Sequence, residues 1–92
     1  MAQHLLIHGK VQGVYFRDSA VAKAREIGVN GWVRNCGDSQ VEAMVSGEPG
    51  DVEAFISWVW EGPPAARVEH IEIEFIELEV EPSGFVRLPS TY

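Results

Sequence analysis

Apolar and polar positions alternate along this chain in two different rhythms, and the rhythm in each stretch predicts its structure. Residues 3–9 (QHLLIHG) hold a continuous apolar run, Leu5 to Ile7, between polar neighbours; this predicts a buried strand in the middle of a sheet. In residues 18–28 (DSAVAKAREIG) the period lengthens: Ala20, Val21, Ala24 and Ile27 fall at helical spacing, with Asp18 and Ser19 placed to cap the start and Gly28 the end. Residues 29–36 (VNGWVRNC) and 40–46 (QVEAMVS) read as strands; in the second, Val41, Ala43 and Val45 alternate with Gln40, Glu42 and Met44. Gly37-Asp38-Ser39 between them suits a hairpin turn. Residues 50–61 carry Val52, Phe55, Ile56 and Val59 on one helical face, and Gly62-Pro63-Pro64 stops that helix. Residues 67–80 predict a long strand whose phase slips. Ile71, Ile73 and Phe75 share one face and Ile76, Leu78 and Val80 the other, which places a bulge or break near Phe75–Ile76. Gly84 to Leu88 makes a last short strand.

The order βαββαβ, with one extra strand, predicts an α+β, ferredoxin-like sandwich: an antiparallel sheet with two helices on one face. The 92 residues make a single domain with its core in residues 3–88 and a loose tail at residues 89–92. Right-handed crossover makes the first two strands parallel, with the third between them, so their C-terminal ends lie on one edge of the sheet, roughly 10 Å apart. The loop GKVQGVYFR (Gly9 to Arg17) leaves the first of those ends. Asn35 closes the second and shares parity with Val29 and Val33, so it faces the helices if those valines do. Backbone N–H groups, a helix N-terminus, an arginine and an amide thus converge, and that combination attracts an anion.

Charge narrows the partners. Fourteen acidic residues oppose seven basic ones, for a net charge of −7. That balance argues against nucleic acid or an anionic membrane, which demand a basic footprint, yet leaves room for one local positive site. Cys36 is the single cysteine, so no internal disulfide forms. The N-terminal apolar run is too short for a signal sequence or a membrane span, and the chain reads as cytoplasmic. His4 and His8 lie roughly 13 Å apart on a strand, too far to share a metal. Cys36 has Glu42, not arginine, six residues on, so no thiol-phosphatase cradle is present. Trp32, Trp58 and Trp60 fall off the core stripes and suit the outer sheet face or a helix flank.

GKVQGVYFR followed by GWVRN (Gly31 to Asn35) resembles the two signature stretches of the acylphosphatase family. Val41, Gly47, GPPAARV (Gly62 to Val68) and the closing SGFVRL (Ser83 to Leu88) extend the resemblance over roughly Leu5 to Leu88. One departure is Ser39, where the family usually has glycine; a left-handed conformation there would cost a serine about 1 kcal/mol.

The resemblance implies hydrolysis of acyl phosphates to a carboxylate and inorganic phosphate, with no metal, no cofactor and no covalent intermediate. It implies that Arg17 binds the substrate phosphate, that the backbone N–H groups of Gln12, Gly13, Val14 and Tyr15 cradle its oxygens, and that Asn35 positions the attacking water. The implied partner is a small acyl phosphate, with inorganic phosphate or sulfate as competing anions and the chain a monomer. Two other readings stand beside it. An RNA-recognition module shares the topology, but the acidic charge and the lack of its aromatic strand motif oppose it. A non-catalytic anion-binding domain of the same fold is the second; the short chain favours the free-standing enzyme.

Overall fold

The computed structural model describes residues 2–91. Its elements are β1 (Ala2–Lys10), α1 (Phe16–Ile27), β2 (Asn30–Cys36), β3 (Gln40–Ser46), α2 (Pro49–Glu61), β4 (Arg67–Ile76) and β5 (Phe85–Arg87). The sheet order is β4-β1-β3-β2-β5. β3 pairs antiparallel with both β1 and β2, so those two run parallel and end on the same edge, as the crossover rule requires.

The period-two pattern decides which side of each strand is dry. Leu5 and Ile7 of β1, Val33 of β2 and Val41, Ala43 and Val45 of β3 are buried under the helices. Ala20 and Ala24 of α1 and Val52, Phe55 and Val59 of α2 close the core from above. Each large apolar side chain so buried contributes about 1.5–3 kcal/mol. Leu6, in the middle of the apolar run, points to the outer face and is half-buried.

Four sequence expectations change. The sheet is mixed rather than antiparallel throughout, because β5 pairs parallel with β2, with Val33 opposite Arg87. α1 begins at Phe16, two residues before the expected cap, and its N-cap is Tyr15 with no side-chain cap bond. β4 ends at Ile76, where the phase of its apolar residues slips, and the chain then crosses the sheet end, held there by a hydrogen bond from buried Ser46 to Glu81. The expected loose tail is tied down as far as Thr91. Thr91 N–H donates to the Asn35 carbonyl at 2.9 Å and Gly37 N–H to the Thr91 carbonyl at 2.7 Å, because β5 leads the chain straight along the end of β2. Tyr92 lies outside the described residues.

The hairpin carries no strain at Ser39. Gly37 supplies the left-handed residue (φ 62°), and among the described residues only Tyr15 is a non-glycine at positive φ.

Candidate anion-binding site

The loop between β1 and α1 is built from alternating anchors. Val11, Val14 and Phe16 are buried, at 1%, 5% and 2% exposure, while Gly13 and Tyr15 face outward. Phe16 packs on the Trp58 ring, 5.7 Å between centroids. With Val14 held in the core, it can offer an anion only its backbone. Gln12 was expected to contribute backbone alone, but its side chain also anchors the loop: Nε2 donates to the carbonyls of Gly37 (3.2 Å) and Gln40 (2.8 Å), fastening the loop to the β2–β3 hairpin.

Both glycines of the motif have a reason to be glycine. Gly9 sits at the register shift between β1 and β4, and a Cβ there would lie 2.1 Å from the Arg67 carbonyl oxygen. Gly13 has φ +72° and open space around it. Tyr15 adopts φ 62°, ψ 25°, a left-handed conformation that costs a residue with a Cβ about 1–2 kcal/mol. The chain accepts that cost at the turn that aims the start of α1. An α-helix leaves its first N–H groups without intrahelical partners. Among the described residues the N-cap side chain makes no cap bond to them, so they and the positive end of the helix dipole are left for another acceptor.

A cavity of about 330 Å³ opens at this point. Gly13, Tyr15 and Arg17 line it, together with Asp18 and with Arg87 of β5. Val11 and Phe16 add the apolar part of its lining. Arg87 donates from Nη1 to Asp18 Oδ1 at 2.8 Å, joining β5 to the first turn of α1. Sequence reasoning did not single out Arg87. Its one signal was membership of the closing SGFVRL stretch; the parallel pairing that brings β5 beside β2 leaves no local pattern.

Asn35 is placed as its parity predicts. It lies on the helix-facing side of β2 and is 8% exposed. It is not among the residues lining the cavity; it connects to the loop through the hairpin that Gln12 grips. Its Oδ1 is buried and has no hydrogen-bond partner among the described residues. An unpartnered buried acceptor costs about 1–3 kcal/mol, so such an atom suits a site where a bound molecule brings the donor.

The other polar groups are committed elsewhere. On the outer sheet face Glu42 accepts from His4 Nε2 and Arg34 Nε, each at 2.6 Å, and Arg34 stacks 4.8 Å from the Trp32 ring centroid. Burial alone would push the Glu42 carboxyl up, but the His4 and Arg34 hydrogen bonds and charges outweigh it and hold it below the usual carboxylate value. His8 pairs with Glu72 at 2.6 Å, so each of the two histidines has its own carboxylate. Trp58 covers a helix flank, and Trp60 is 46% exposed. No helix is long and apolar enough to cross a membrane among the described residues.

Comparison with known proteins places this geometry in context. The model of the acylphosphatase family matches residues 3–86. An acylphosphatase from Acidovorax sp. (strain JS42) is 56% identical over 73 residues, 79% of this chain and 75% of that one. One from Thermococcus kodakarensis is 53% identical over 76 residues, 83% of this chain and 84% of that one. The solved structure of an acylphosphatase from Coxiella burnetii superposes with a TM-score of 0.89 at 39% identity, covering 95% of this chain and 90% of that one.

Proposed function

The chain belongs to the acylphosphatase family, enzymes that hydrolyse acyl phosphates, and we propose that it does so by gripping the phosphoryl group between Arg17 and the Gln12–Tyr15 loop while Asn35 orients the attacking water. The observation that carries this reading is the start of α1. Arg17 lines the cavity two residues beyond the left-handed N-cap Tyr15, whose side chain makes no cap bond; a cation there opposes the helix dipole unless an anion sits between them.

The chemistry needs little beyond positioning. The water oxygen bonds to phosphorus as the bond from phosphorus to the acyl oxygen breaks. The electron pair leaves with the carboxylate, and both protons of the water stay with its oxygen on the released phosphate, as the dihydrogen phosphate anion, which then exchanges protons with solvent. A carboxylate whose conjugate acid has a pKa of about 4 departs without protonation. What remains for the protein is to align the reactants and stabilise charge on the equatorial oxygens. The guanidinium of Arg17 can hold two of those oxygens, and backbone N–H groups of the loop take the others. Asn35 Oδ1 accepts a hydrogen bond from water and brings no charge to repel the dianion. No step calls for a metal or a cofactor. Inorganic phosphate and sulfate, as fragments of the substrate, compete for the cradle. We take the chain to act as a monomer in the cytoplasm, a reading its net charge of −7 and its one local positive site are consistent with.

Hydrolysis of benzoyl phosphate by the pure protein in EDTA tests the proposal. Metal-independent turnover, lost at least a hundredfold in Arg17→Ala, is expected, since two charge-assisted bonds of about 1.5–3 kcal/mol each disappear. A folded Arg17→Ala variant with near-normal kcat/KM would sink it.

A further inference from the structure

The cavity holds a second guanidinium that the mechanism above leaves unused. Arg87 and Arg17 line the same space, one from β5 and one from α1, and Asp18, the residue after Arg17, is bonded to Arg87. Resting on the reading of Arg17 as the phosphate ligand, we propose that Arg87 is a further catalytic residue: it holds the acyl end of the substrate and takes up the charge that develops on the departing carboxylate.

The placement of charge assigns the two ends of the cavity. A phosphate dianion seated against Arg17 and the loop is repelled by the Asp18 carboxylate. The acyl carbonyl is neutral in the ground state and gains at most one charge on leaving, so Asp18 disfavours its own side far more for the phosphoryl dianion than for the acyl end. Arg87 is bonded to Asp18, so it stands on that same side, where the acyl group must lie if the phosphoryl group fills the cradle. Its pairing leaves it free to act. A guanidinium carries five donor hydrogens and the structure commits Nη1 to Asp18, leaving the rest of the fork for a second acceptor. The pair is also exposed, at 47% for the Arg87 side chain and 64% for Asp18, so water screens it and a substrate competes with it easily.

The chemistry gives that fork its purpose. When the bond between phosphorus and the acyl oxygen breaks, the electron pair spreads over two carboxylate oxygens, and a planar guanidinium matches that pair better than it matches the neutral carbonyl of the ester-like ground state. An interaction stronger in the transition state than in the ground state raises kcat.

Substituted benzoyl phosphates, whose leaving acids differ in pKa, provide the test, with inorganic phosphate as the competing ligand. Arg87→Met keeps the aliphatic stem and removes the charge. It should lower kcat/KM about ten- to hundredfold while the inhibition constant for inorganic phosphate stays within about twofold. The plot of log kcat/KM against leaving-acid pKa should become steeper, because poorer leaving groups lean more on Arg87. Arg87→Lys should recover part of the rate, having the charge without the fork. Inhibition by phosphate weakening in step with kcat/KM would make Arg87 a phosphate ligand and overturn the proposal. So would an unchanged rate, or a fall with unchanged slope, either of which confines Arg87 to fastening β5 onto α1. Arg17→Ala run alongside keeps the two readings apart, since it loses phosphate affinity if the cradle is right, whatever Arg87 does.

Discussion

Gln12 is fastened to Gln40, 28 residues further along the chain, by a 2.8 Å hydrogen bond from its side-chain amide to the backbone carbonyl. A second bond, to the Gly37 carbonyl, fixes the amide on the hairpin that follows Asn35. The loop and the end of β2 are thereby one unit. Gln12→Ala should cost about 1–2 kcal/mol of stability, the sum of two ordinary hydrogen bonds. It should also weaken inhibition by inorganic phosphate, because the loop must then be ordered on binding. Gln12→Glu should be worse on both counts, as a carboxylate cannot donate to two carbonyls. Thermal unfolding and phosphate inhibition check this; an unchanged inhibition constant in Gln12→Ala would mean that the three apolar anchors alone hold the loop.

Arg17 and Asn35 should fail differently. Arg17→Ala is expected to damage phosphate inhibition and kcat together, since its contact exists in ground and transition states alike. Asn35→Ala should lower kcat strongly and leave phosphate inhibition nearly unchanged, since a contact with the nucleophile matters mainly in the transition state. The structure adds a stability signature. Asn35 Oδ1 is a buried acceptor without a partner, so removing it relieves a penalty. The melting temperature of Asn35→Ala should therefore hold within about 2 °C of wild type or rise. A stable Asn35→Ala that keeps its kcat and loses phosphate affinity would make Asn35 a phosphate ligand.

The contrast between Asn35 and Arg87 explains what was legible in advance. Asn35 was readable because period two along β2 ties its direction to that of Val33, a purely local relationship. Arg17 was readable because its loop is contiguous. Arg87 was not, because it reaches the cavity through the pairing of β5 with β2, more than fifty residues away in sequence. The start of α1 was misplaced for a different reason. Asp18 and Ser19 are good capping residues, yet the turn is made by Tyr15 in a conformation its side chain disfavours. The Asp18 carboxylate engages Arg87 instead of the helix end. Local preference is overridden here at the very place where the site is built.

The two loop glycines make opposite predictions. A methyl at Gly9 would collide with the Arg67 backbone across the β1–β4 ladder, and its φ of +133° also excludes side chains. Gly9→Ala should destabilise by about 2–4 kcal/mol in urea unfolding. Where the fold survives it, kcat/KM should stay close to wild type. At Gly13 a methyl meets no atom within 4 Å, so the loss should be only the left-handed penalty of about 1–2 kcal/mol. That methyl stands in the lining of the cavity, however, so Gly13→Ala should lose much more activity than stability. Equal effects of both substitutions on activity would remove Gly13 from the cradle.

Acid stability should trace to the outer sheet face, through Glu42. Its carboxyl lies below the usual value of 4.5, because hydrogen bonds from His4 and Arg34 overcome the opposing effect of burial. A carboxyl with a depressed folded-state pKa binds protons more readily in the unfolded chain. Its contribution to stability is therefore complete above 4.5, and it disappears as the pH falls through the lower folded-state value. Glu42→Gln cannot titrate, and it leaves His4 and Arg34 facing an amide. Above that window the variant should be less stable than wild type. As the pH falls below it, the gap should narrow, since the wild-type carboxyl becomes neutral as well. Urea unfolding of both proteins at a series of pH values from about 3 to 7 measures the gap directly. A gap that stays constant across the series would mean that the carboxyl charge contributes nothing, and that Glu42 serves the sheet only by its shape.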